Sequence, residues 1–457
     1  MTRSPALSYA EHGEHVAQMI EAALAAADPA QAVRRYLKRD EEYLILGPYR
    51  YRFGQGRIFV IAAGKAGLLM GKAALEVLQN DVGGGVIITK HTQDGRARSY
   101  RAAVGADQAR IIVYEAGHPV SDESSIQATA AVIRLLEETR AGDLVLCLIS
   151  GGASALLTRP TLALPLWQRL LATLLESGCT INELNSVRKH LDRIKGGGLA
   201  QLAAPAAVVS LILSDVVGNP LDVVGSGPTA PNPESPAEAL TVLHRYRIAE
   251  KLPTEAWERI SEHLTADRTP TSLARFEELE VENMIIGDVR RAARAAARVA
   301  TDLGFKTHLL TTHLEGEARE VGRVVAALAK DAAPGTCLIL GGETTVTVSG
   351  DGRGGRNQEL ALAAALSLDG WEHVAVASFA TDGEDGPTDA AGAIITGHTI
   401  AQARAAGLLA HKFLQRNDSY TFFNALAEHH GIASLIQTGP TGTNVNDLCL
   451  ILAYPRA

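Results

Sequence analysis

The sequence predicts an α/β protein of two domains, each built on a sheet whose strands alternate with helices. Short, uninterrupted apolar segments alternate with longer amphipathic stretches along most of the 457 residues. Strands that are apolar on both faces are typical of parallel sheets covered by helices on both sides. The segment 225–236, GSGPTAPNPESP, is the richest in proline and glycine, which favours a domain boundary there. We therefore predict domains 1–235 and 236–457.

The first domain is predicted to start with helices over 8–38, interrupted near Pro29, and to continue as a parallel sheet. Its candidate strands are the apolar runs 58–63, 84–89, 110–115, 144–149 and 207–213. Helices follow most of them, for example 124–139 and 165–178. Because ligands of parallel sheets collect at the carboxyl ends of the strands, the loops after these strands are the candidate site.

The second domain repeats this alternation. The pattern predicts strands at 283–287, 305–311, 336–341, 373–380 and 447–454, and helices at 288–303, 315–331 and 357–367. The segment 344–349, TTVTVS, alternates polar and apolar residues. Strict alternation predicts a half-exposed strand, as in one arm of a hairpin, which would make this sheet a mixed one.

Charge and cysteine usage narrow the class of protein. A formal net charge of −8 argues against a protein that binds nucleic acid or a membrane surface. No window offers about 20 apolar residues without charge, as a membrane span requires. The four cysteines lie far apart, without metal-binding spacing, and read as buried thiols in a reducing compartment. We expect a cytoplasmic protein; a homodimer is compatible with the sequence, which does not fix the oligomeric state.

Lys65 stands where strand 58–63 turns into the following helix, in the loop Gly64-Lys65-Ala66-Gly67. A cation at a helix N-terminus opposes the helix dipole by a few tenths to about 1 kcal/mol. The phosphate-binding motif G-x-x-x-x-G-K-[ST] is not formed here. Two interpretations stay open, an ordinary surface lysine on a turn and a positive charge aimed at phosphate.

Arg356 is a second cation at the start of a predicted helix, after the glycine-rich loop 350–355. That loop formally contains G-x-G-x-x-G, the dinucleotide-binding pattern, but the alternating segment before it is not the buried strand that this pattern needs. Two cations that both oppose a helix dipole predict a shared anion that supplies the missing negative charge.

The loop after strand 144–149 has the composition of an anion site. Free backbone N–H groups at the start of a helix form a cradle for a carboxylate or a phosphate. The same sequence also fits a plain tight turn with a serine N-cap. The residues concerned are Ser150, Gly151, Gly152, Ala153 and Ser154.

Three further charged residues are candidates. Asp215 and Asp382 each follow an apolar strand, where a carboxylate is able to hold Mg²⁺ or a hydroxyl group. The alternatives are an Asx-turn for Asp215 and a solvated acidic loop for Asp382. Arg188 lies on a predicted helix and is either a substrate anchor or surface charge.

These loops together resemble a known family. The segments AAGKAG, SGGASALL, SDVVGNPLDVVGSGPTAPNP, GRGGRNQEL and ATDGEDGPTDAAGA are similar to those of the class II glycerate 2-kinases. This group ends in the MOFRL domain and is often labelled hydroxypyruvate reductase in older naming. The resemblance extends from about residue 8 to residue 454.

The resemblance implies ATP-dependent phosphorylation of D-glycerate on its 2-hydroxyl, giving 2-phosphoglycerate and ADP. It implies a Rossmann-like N-terminal domain and a smaller α/β MOFRL domain, with the active site in the cleft between them. Lys65 and Arg356 match the family's catalytic lysine and arginine. The nucleotide is expected at Gly64, Asn219, Gly342, Glu343, Gly355 and Asn357.

Our mechanistic hypothesis assigns the remaining residues. The loop 150–154 and Arg188 hold the carboxylate of glycerate, while Lys65 and Arg356 neutralise the transferring phosphoryl group. Mg²⁺, held by Asp215 or Asp382, bridges the phosphates of ATP, or one of those carboxylates accepts the hydroxyl proton.

Two other functions remain open at this point. An NAD(P)H-dependent hydroxypyruvate reductase would use 350–355 as its nicotinamide site and needs an acidic residue about 20 positions later, after the next strand. Asp369 falls before that strand, and Asp382 comes late. A non-catalytic metabolite sensor would bind nucleotide without turnover.

Overall fold

The computed structural model describes residues 11–91, 99–101, 111–266, 276–431 and 433–455. The chain forms two compact units, one of residues 29–286 and one that joins the residues before 29 to those from 287 onward. Among the helices of the described residues, none combines the length and hydrophobicity needed to cross a membrane.

The unit 29–286 contains a small antiparallel sheet and a larger parallel one. The small sheet has the order β1-β2-β3, and the large sheet has the order β10-β9-β8-β4-β5-β7-β6. Strands β9, β8, β4, β5 and β7 run parallel, and β6 pairs antiparallel with β7. The strands are β1 Leu37–Arg39, β2 Tyr43–Leu46, β3 Tyr49–Arg52, β4 Ile58–Ala63, β5 Val82–Lys90, β6 Ser99–Arg101, β7 Ile111–Ala116, β8 Leu144–Ser150, β9 Ala207–Leu213 and β10 Val281–Gly287.

Helices cover this sheet because its strands are apolar on both faces; every residue of β4, β8 and β9 is buried. Three of the helices begin with a capping box that satisfies free N–H groups of the first turn, at Asp122, Thr180 and Ser235. The helices are Pro29–Tyr36, Gly67–Leu78, Glu123–Leu136, Ala153–Leu156, Leu164–Glu176, Ile181–Leu191, Gly198–Ala203, Pro236–Arg245, Ile248–Lys251 and Thr254–Thr265, with a 3₁₀ turn at Val224–Ser226.

The other unit is built on a mixed sheet of order β11-β12-β16-β13-β14-β15. Strands β11 and β12 are parallel, whereas β16 pairs antiparallel with both β12 and β13. The strands are β11 Lys306–Leu314, β12 Thr336–Gly342, β13 Val374–Ala380, β14 Gly392–Thr396, β15 Leu435–Ile436 and β16 Asp447–Ala453. The helices are Glu11–Ala27, Val289–Asp302, Ala318–Asp331, Arg356–Ser367, Thr399–Ala405, Ala410–Gln415 and Ser419–His430.

The predicted fold class is confirmed, a parallel-sheet N-terminal domain followed by a mixed-sheet domain, but the predicted strand 344–349 is wrong. Only Thr345 forms an isolated bridge, to Glu317. Side chains satisfy the backbone instead of a neighbouring strand. The Glu317 carboxylate accepts from the Thr347 N–H, and Asn417 Oδ1 accepts from the Ser349 N–H.

The division into units differs from the predicted boundary at 235/236. Helix Pro236–Arg245 packs on Ile181–Leu191, and β10, assigned to the second domain from sequence, is an edge strand of the first sheet. The glycine- and proline-rich segment is an internal loop of the first unit, where Gly227 accepts a hydrogen bond from the Gly197 N–H.

At the N-terminus, helix Glu11–Ala27 belongs to the second unit. It packs on helix Val289–Asp302, and His15 Nδ1 lies 3.1 Å from the Tyr454 hydroxyl. The chain therefore enters the mixed-sheet unit, leaves it at residue 29 to form the parallel-sheet unit, and returns at residue 287.

Candidate active site

The loop around Lys65 follows β4 at the centre of the parallel sheet. The Lys65 N–H donates to the Gly151 carbonyl at 2.8 Å, and the Ala66 N–H donates to Ser150 Oγ at 3.1 Å. No side chain caps helix Gly67–Leu78, whose N-cap residue is Ala66. The predicted Lys65 loop and the predicted 150–154 loop are therefore joined by hydrogen bonds at the carboxyl ends of β4 and β8.

Lys65 has no carboxylate within ion-pair distance among the residues that the structure describes. Its side chain runs along the turn, because a Cβ placed on Gly152 would lie 3.2 Å from Lys65 Cγ. A partly buried ammonium without a counter-ion, at the start of an uncapped helix, is suited to binding an anion.

Gly151 leaves room for the Asp215 carboxylate, which lies against it. A Cβ on Gly151 would stand 1.8 Å from Asp215 Oδ2, closer than atoms approach without overlap. Asp215 follows β9, the neighbour of β8. The structure therefore brings together Lys65, the 151–152 turn and Asp215, as the sequence predicts for strand ends on one edge of a sheet.

The two serines of the loop are used internally. Ser150 Oγ accepts from the Ala66 N–H, and Ser154 Oγ lies 2.8 Å from Ser226 Oγ. Helix Ala153–Leu156 is a single short turn. The loop therefore offers backbone N–H groups rather than a serine nucleophile, in agreement with the absence of G-x-S-x-G from the sequence.

Arg188 lies on helix Ile181–Leu191 and reaches the same serines through Asn185. Ser226 Oγ donates to Asn185 Oδ1 at 3.1 Å, and Arg188 Nη1 lies 3.4 Å from that oxygen. Burial lowers the pKa of the Arg188 guanidinium, and Cys179 and Asp192 act in the opposite direction. No carboxylate forms an ion pair with Arg188 among the described residues. A mostly buried guanidinium without a partner carboxylate favours an anionic ligand.

Lys195, which was not predicted from the sequence, holds the end of the 150–154 loop in place. Its buried ammonium donates to the carbonyls of Ser154 and Leu157 at 2.8 and 3.1 Å, and Asp192 lies 3.9 Å away. Burial lowers the pKa of Lys195 to about 8. The motif RIKGGG contains this lysine, but nothing in the spacing distinguishes it from a surface residue.

In the mixed-sheet unit, Arg356 is the first residue of helix Arg356–Ser367. Its guanidinium binds Asp447 through two hydrogen bonds, Nε to Oδ2 at 2.5 Å and Nη2 to Oδ1 at 2.9 Å. Nη1 lies 3.0 Å from Glu343 Oε1. Burial acts to lower the pKa of Arg356, but the bonds to Asp447 outweigh it and the pKa is raised.

The two cations differ in how the protein balances their charge. Asp447 and Glu343 supply negative charge to Arg356, whereas Lys65 has no such partner among the described residues, and the shared anion remains a prediction. The two cations are therefore not equivalent, although the helix-dipole argument treats them alike.

The N-terminus of helix Arg356–Ser367 is also satisfied internally. Asp385 Oδ1 accepts from the Asn357 N–H and Oδ2 from the Gln358 N–H, at 3.0 and 2.9 Å. The Asn357 side chain bonds Asp385 and accepts from Ser378, and it is 1% exposed. Asn357 is therefore built into the core of this unit and is not presented to a nucleotide.

The loop 350–355 does not have the geometry of a dinucleotide site. No strand precedes it, and Asn417 Oδ1 accepts from the Gly350 N–H while Asp418 Oδ1 accepts from the Arg353 N–H. A Cβ on Gly352 would meet Asp418 Cβ at 2.3 Å. The glycines permit close packing on the segment 416–419 and do not form the strand-to-helix turn of the dinucleotide pattern.

A cavity of about 470 Å³ lies beside Arg356 within this unit. Two of the predicted nucleotide residues, Glu343 and Gly355, line it, together with apolar side chains of Val346, Val348 and Pro387. Its volume is in the range of small-molecule sites.

The other predicted nucleotide residues have local roles. Gly342 ends β12, where a Cβ would lie 2.1 Å from the Leu314 carbonyl oxygen. Gly64 (φ +128°) and Asn219 (φ +57°) adopt backbone conformations of tight turns after β4 and β9.

The two predicted metal ligands belong to different units, Asp215 to the parallel sheet and Asp382 to the mixed one. Asp382 Oδ1 accepts from the Glu384 N–H at 3.2 Å, in a turn after β13. Within the described residues, no group of three or more histidine, cysteine, aspartate or glutamate side chains is placed to hold a metal ion.

We expect Asp447 to make the stability of the protein depend on pH. Burial raises the pKa of Asp447 to about 7, against the effect of Arg356, whereas an unfolded aspartate titrates near 3.9. The folded chain therefore holds this proton more tightly, and that stabilisation is lost as the pH rises through about 7. Urea unfolding between pH 5 and 8 should show this decline, and Asp447→Asn should flatten it. An unchanged slope in Asp447→Asn would refute the assignment.

Comparison with known proteins is consistent with this architecture. A domain of unknown function, DUF4147, matches residues 15–261, and the MOFRL family matches residues 336–447. The chain is 42% identical to a D-glycerate 2-kinase of Thermotoga maritima, over 86% of this chain and 90% of that protein. It is 38% identical to a glycerate 2-kinase of Pyrococcus horikoshii, over 96% and 97%.

Two further relatives in Agrobacterium vitis are provisionally named hydroxypyruvate reductases. Among solved structures, a glycerate kinase of Thermotoga maritima superposes with a TM-score of 0.81 at 37% identity, covering 96% of this chain and 99% of that one.

Proposed function

We propose that this chain, which belongs to the glycerate 2-kinase family of DUF4147 and MOFRL domains, transfers the γ-phosphoryl group of ATP to the 2-hydroxyl of D-glycerate. The products are 2-phosphoglycerate and ADP. The observation that carries the proposal is Lys65, which pairs with no carboxylate of the described residues and lies beside the 151–152 turn at the carboxyl ends of the parallel strands. Phosphoryl transfer depends on positioning and on charge neutralisation, and such a cation supplies the second of these.

The acceptor occupies the parallel-sheet unit in this proposal. The carboxylate of glycerate binds the Arg188 guanidinium and the backbone N–H groups of the 150–154 loop. Arg188 supports this role because it is mostly buried and pairs with no described carboxylate. Lys65 binds the transferring phosphoryl group.

Arg356 is proposed to stabilise the same reaction from the mixed-sheet unit. A guanidinium has five N–H donors, and three of its contacts here go to Asp447 and Glu343. One N–H on each terminal nitrogen is left to donate to a phosphate oxygen. Asp447 and Glu343 thus orient the Arg356 guanidinium and leave two of its N–H donors available.

The nucleotide is proposed to bind in the cavity lined by Glu343 and Gly355, with its base against Val346, Val348 and Pro387. We expect Val346→Trp, which fills this cavity, to raise the KM for ATP about tenfold and to leave the KM for glycerate nearly unchanged. The matched control is Val324→Trp on helix Ala318–Asp331, where the side chain is 60% exposed. Equal KM values for ATP in both variants would contradict this placement.

A Mg²⁺ ion bound through only one or two carboxylates of the protein fits the proposal. The ion commonly takes one or two protein carboxylates and completes its shell with phosphates and water. Asp215, at the end of β9, or Asp382, at the end of β13, suits that role. When bound, the ion would neutralise charge on the ATP phosphates.

An assay of ADP release tests the function. The purified chain is incubated with ATP and Mg²⁺, with and without D-glycerate, and separately with hydroxypyruvate and NADH or NADPH. We expect ADP release that requires D-glycerate, and no oxidation of the reduced nicotinamide. Oxidation with hydroxypyruvate and no ADP would establish a reductase, and nucleotide binding without either reaction would establish a sensor.

The cellular compartment and the oligomeric state remain predictions. The four cysteines form no disulfide with one another, and burial raises the pKa of Cys147, Cys337 and Cys449 to about 12. Free, unreactive thiols favour the cytoplasm. A homodimer is compatible with the sequence.

A further inference from the structure

His118 lies at the carboxyl end of β7, in the segment GHPVSDESS, and has no part in the mechanism described above. One edge of its ring faces the turn that Lys65 also borders. A Cβ placed on Gly152 would lie 3.0 Å from His118 Nε2 and 3.2 Å from Lys65 Cγ. The His118 imidazole and the aliphatic part of the Lys65 side chain therefore both lie against the Gly152 backbone.

The neighbouring histidines differ from His118 because their ring nitrogens are engaged. His91 Nε2 lies 2.8 Å from Asp122 Oδ2, and His190 lies within hydrogen-bond distance of the carbonyls of Ser186 and Glu234. Neither nitrogen of His118 has a hydrogen-bond partner among the described residues. A part-buried imidazole without a partner, beside the candidate acceptor site, has a free lone pair to offer.

Burial and the surrounding positive charges keep this ring neutral. Burial lowers the pKa of His118 to about 4, and the positive charges of Lys65 and Lys90 act in the same direction. Asp122, the carboxylate near this loop, is turned to His91 and to the Gly117 N–H. At neutral pH His118 is therefore an acceptor at one nitrogen and a donor at the other.

We propose that His118 is the general base that takes the proton from the reacting hydroxyl of the acceptor. This rests on the proposed function. As the hydroxyl oxygen forms its bond to the γ-phosphorus, the bond from that phosphorus to the β,γ-bridging oxygen breaks and ADP leaves. The hydroxyl proton passes to Nε2 of His118, and the resulting imidazolium loses a proton to water after product release.

Substrate binding improves His118 as a base. In the free site, Lys65 and Lys90 act to lower the pKa of the ring, while the Asp215 carboxylate lies against the neighbouring Gly151. An anionic acceptor and the phosphates of ATP add negative charge close to the ring, which raises the pKa of His118 toward the operating pH. A base whose pKa lies near the operating pH is more effective in proton transfer.

The test compares His118→Ala with His118→Gln and with the control His91→Gln. General bases contribute about 10²–10⁴-fold to rate, so we expect His118→Ala and His118→Gln to lose at least 100-fold in kcat. The KM for the acceptor should change less than fivefold. The control removes a nearby imidazole whose partner is a protein carboxylate and should keep kcat within about threefold of the unmodified chain.

Rescue distinguishes a base from a structural residue. Added imidazole should restore part of the kcat of His118→Ala, in proportion to the concentration of its neutral form, and should have no effect on His118→Gln, whose side chain fills the space. In the unmodified chain, the acid limb of kcat should lie at higher pH than that of kcat/KM, because kcat reports the pKa of the substrate complex.

Two results would overturn the proposal. One is a kcat of His118→Ala within about threefold of the unmodified chain. The other is a folded, inactive His118→Ala that imidazole at any pH fails to restore. Failure of the proposed function is distinguishable, because the unmodified chain would then release no ADP with D-glycerate.

Discussion

Lys65→Ala should lose about 10²–10³-fold in kcat, the amount associated with removal of one preorganised group that stabilises developing charge. Lys65 has no carboxylate partner in the described structure, so its removal breaks no ion pair. The free energy of unfolding should therefore change by less than about 1 kcal/mol. The measurement is steady-state kinetics with D-glycerate and ATP, together with urea unfolding of the same preparation.

Lys72→Ala is the matched control for this loss. Lys72 lies on the same helix, Gly67–Leu78, and is exposed. It should retain the kcat of the unmodified chain, because its charge faces solvent. Equal kcat values for Lys65→Ala and Lys72→Ala would show that Lys65 is a surface lysine, the alternative that the sequence left open.

Arg356→Ala should abolish measurable turnover and also destabilise the mixed-sheet unit. Asp447 is 7% exposed and would lose a bidentate partner. Breaking a buried pair by removing one member costs about 3–5 kcal/mol, and we expect the lower end because the Arg356 side chain is 27% exposed. Kinetics and urea unfolding measure the two effects separately.

A double variant separates catalysis from folding. Arg356→Met combined with Asp447→Leu removes both charges, so it should recover most of the stability while remaining inactive. The surface pair Arg404–Asp369 provides a control, since Arg404 is 67% exposed and Arg404→Ala should cost less than about 1 kcal/mol. Recovery of activity in the double variant would show that Arg356 acts only through stability.

The sequence predicted both cations for a physical reason, because each stands at the start of a helix and opposes its dipole. It could not predict how their charges are balanced. Asp447 lies 91 positions after Arg356 and reaches it only because β16 pairs antiparallel with β12, a pairing that no local pattern encodes. Lys65 looked equivalent in sequence but has no such partner among the residues that the structure describes.

The acidic loop after β13 shows a second limit of the same kind. Asp382 is nearest the strand and stays the predicted metal ligand of this loop, whereas Asp385, further along, binds the helix N-terminus at Asn357 and Gln358. Position along the loop says little about which carboxylate turns inward. The strand predicted at 344–349 is wrong for a related reason. Alternation shows which faces of a segment are polar, but it does not show whether a neighbouring strand is present.

The central claim is most directly tested by ³¹P NMR of the product formed from D-glycerate, ATP and Mg²⁺. We predict a 2-phosphoglycerate resonance that grows in step with ADP. A 3-phosphoglycerate resonance would contradict transfer to the 2-hydroxyl while keeping the kinase, and the absence of any phosphorylated acceptor would contradict the proposed function itself.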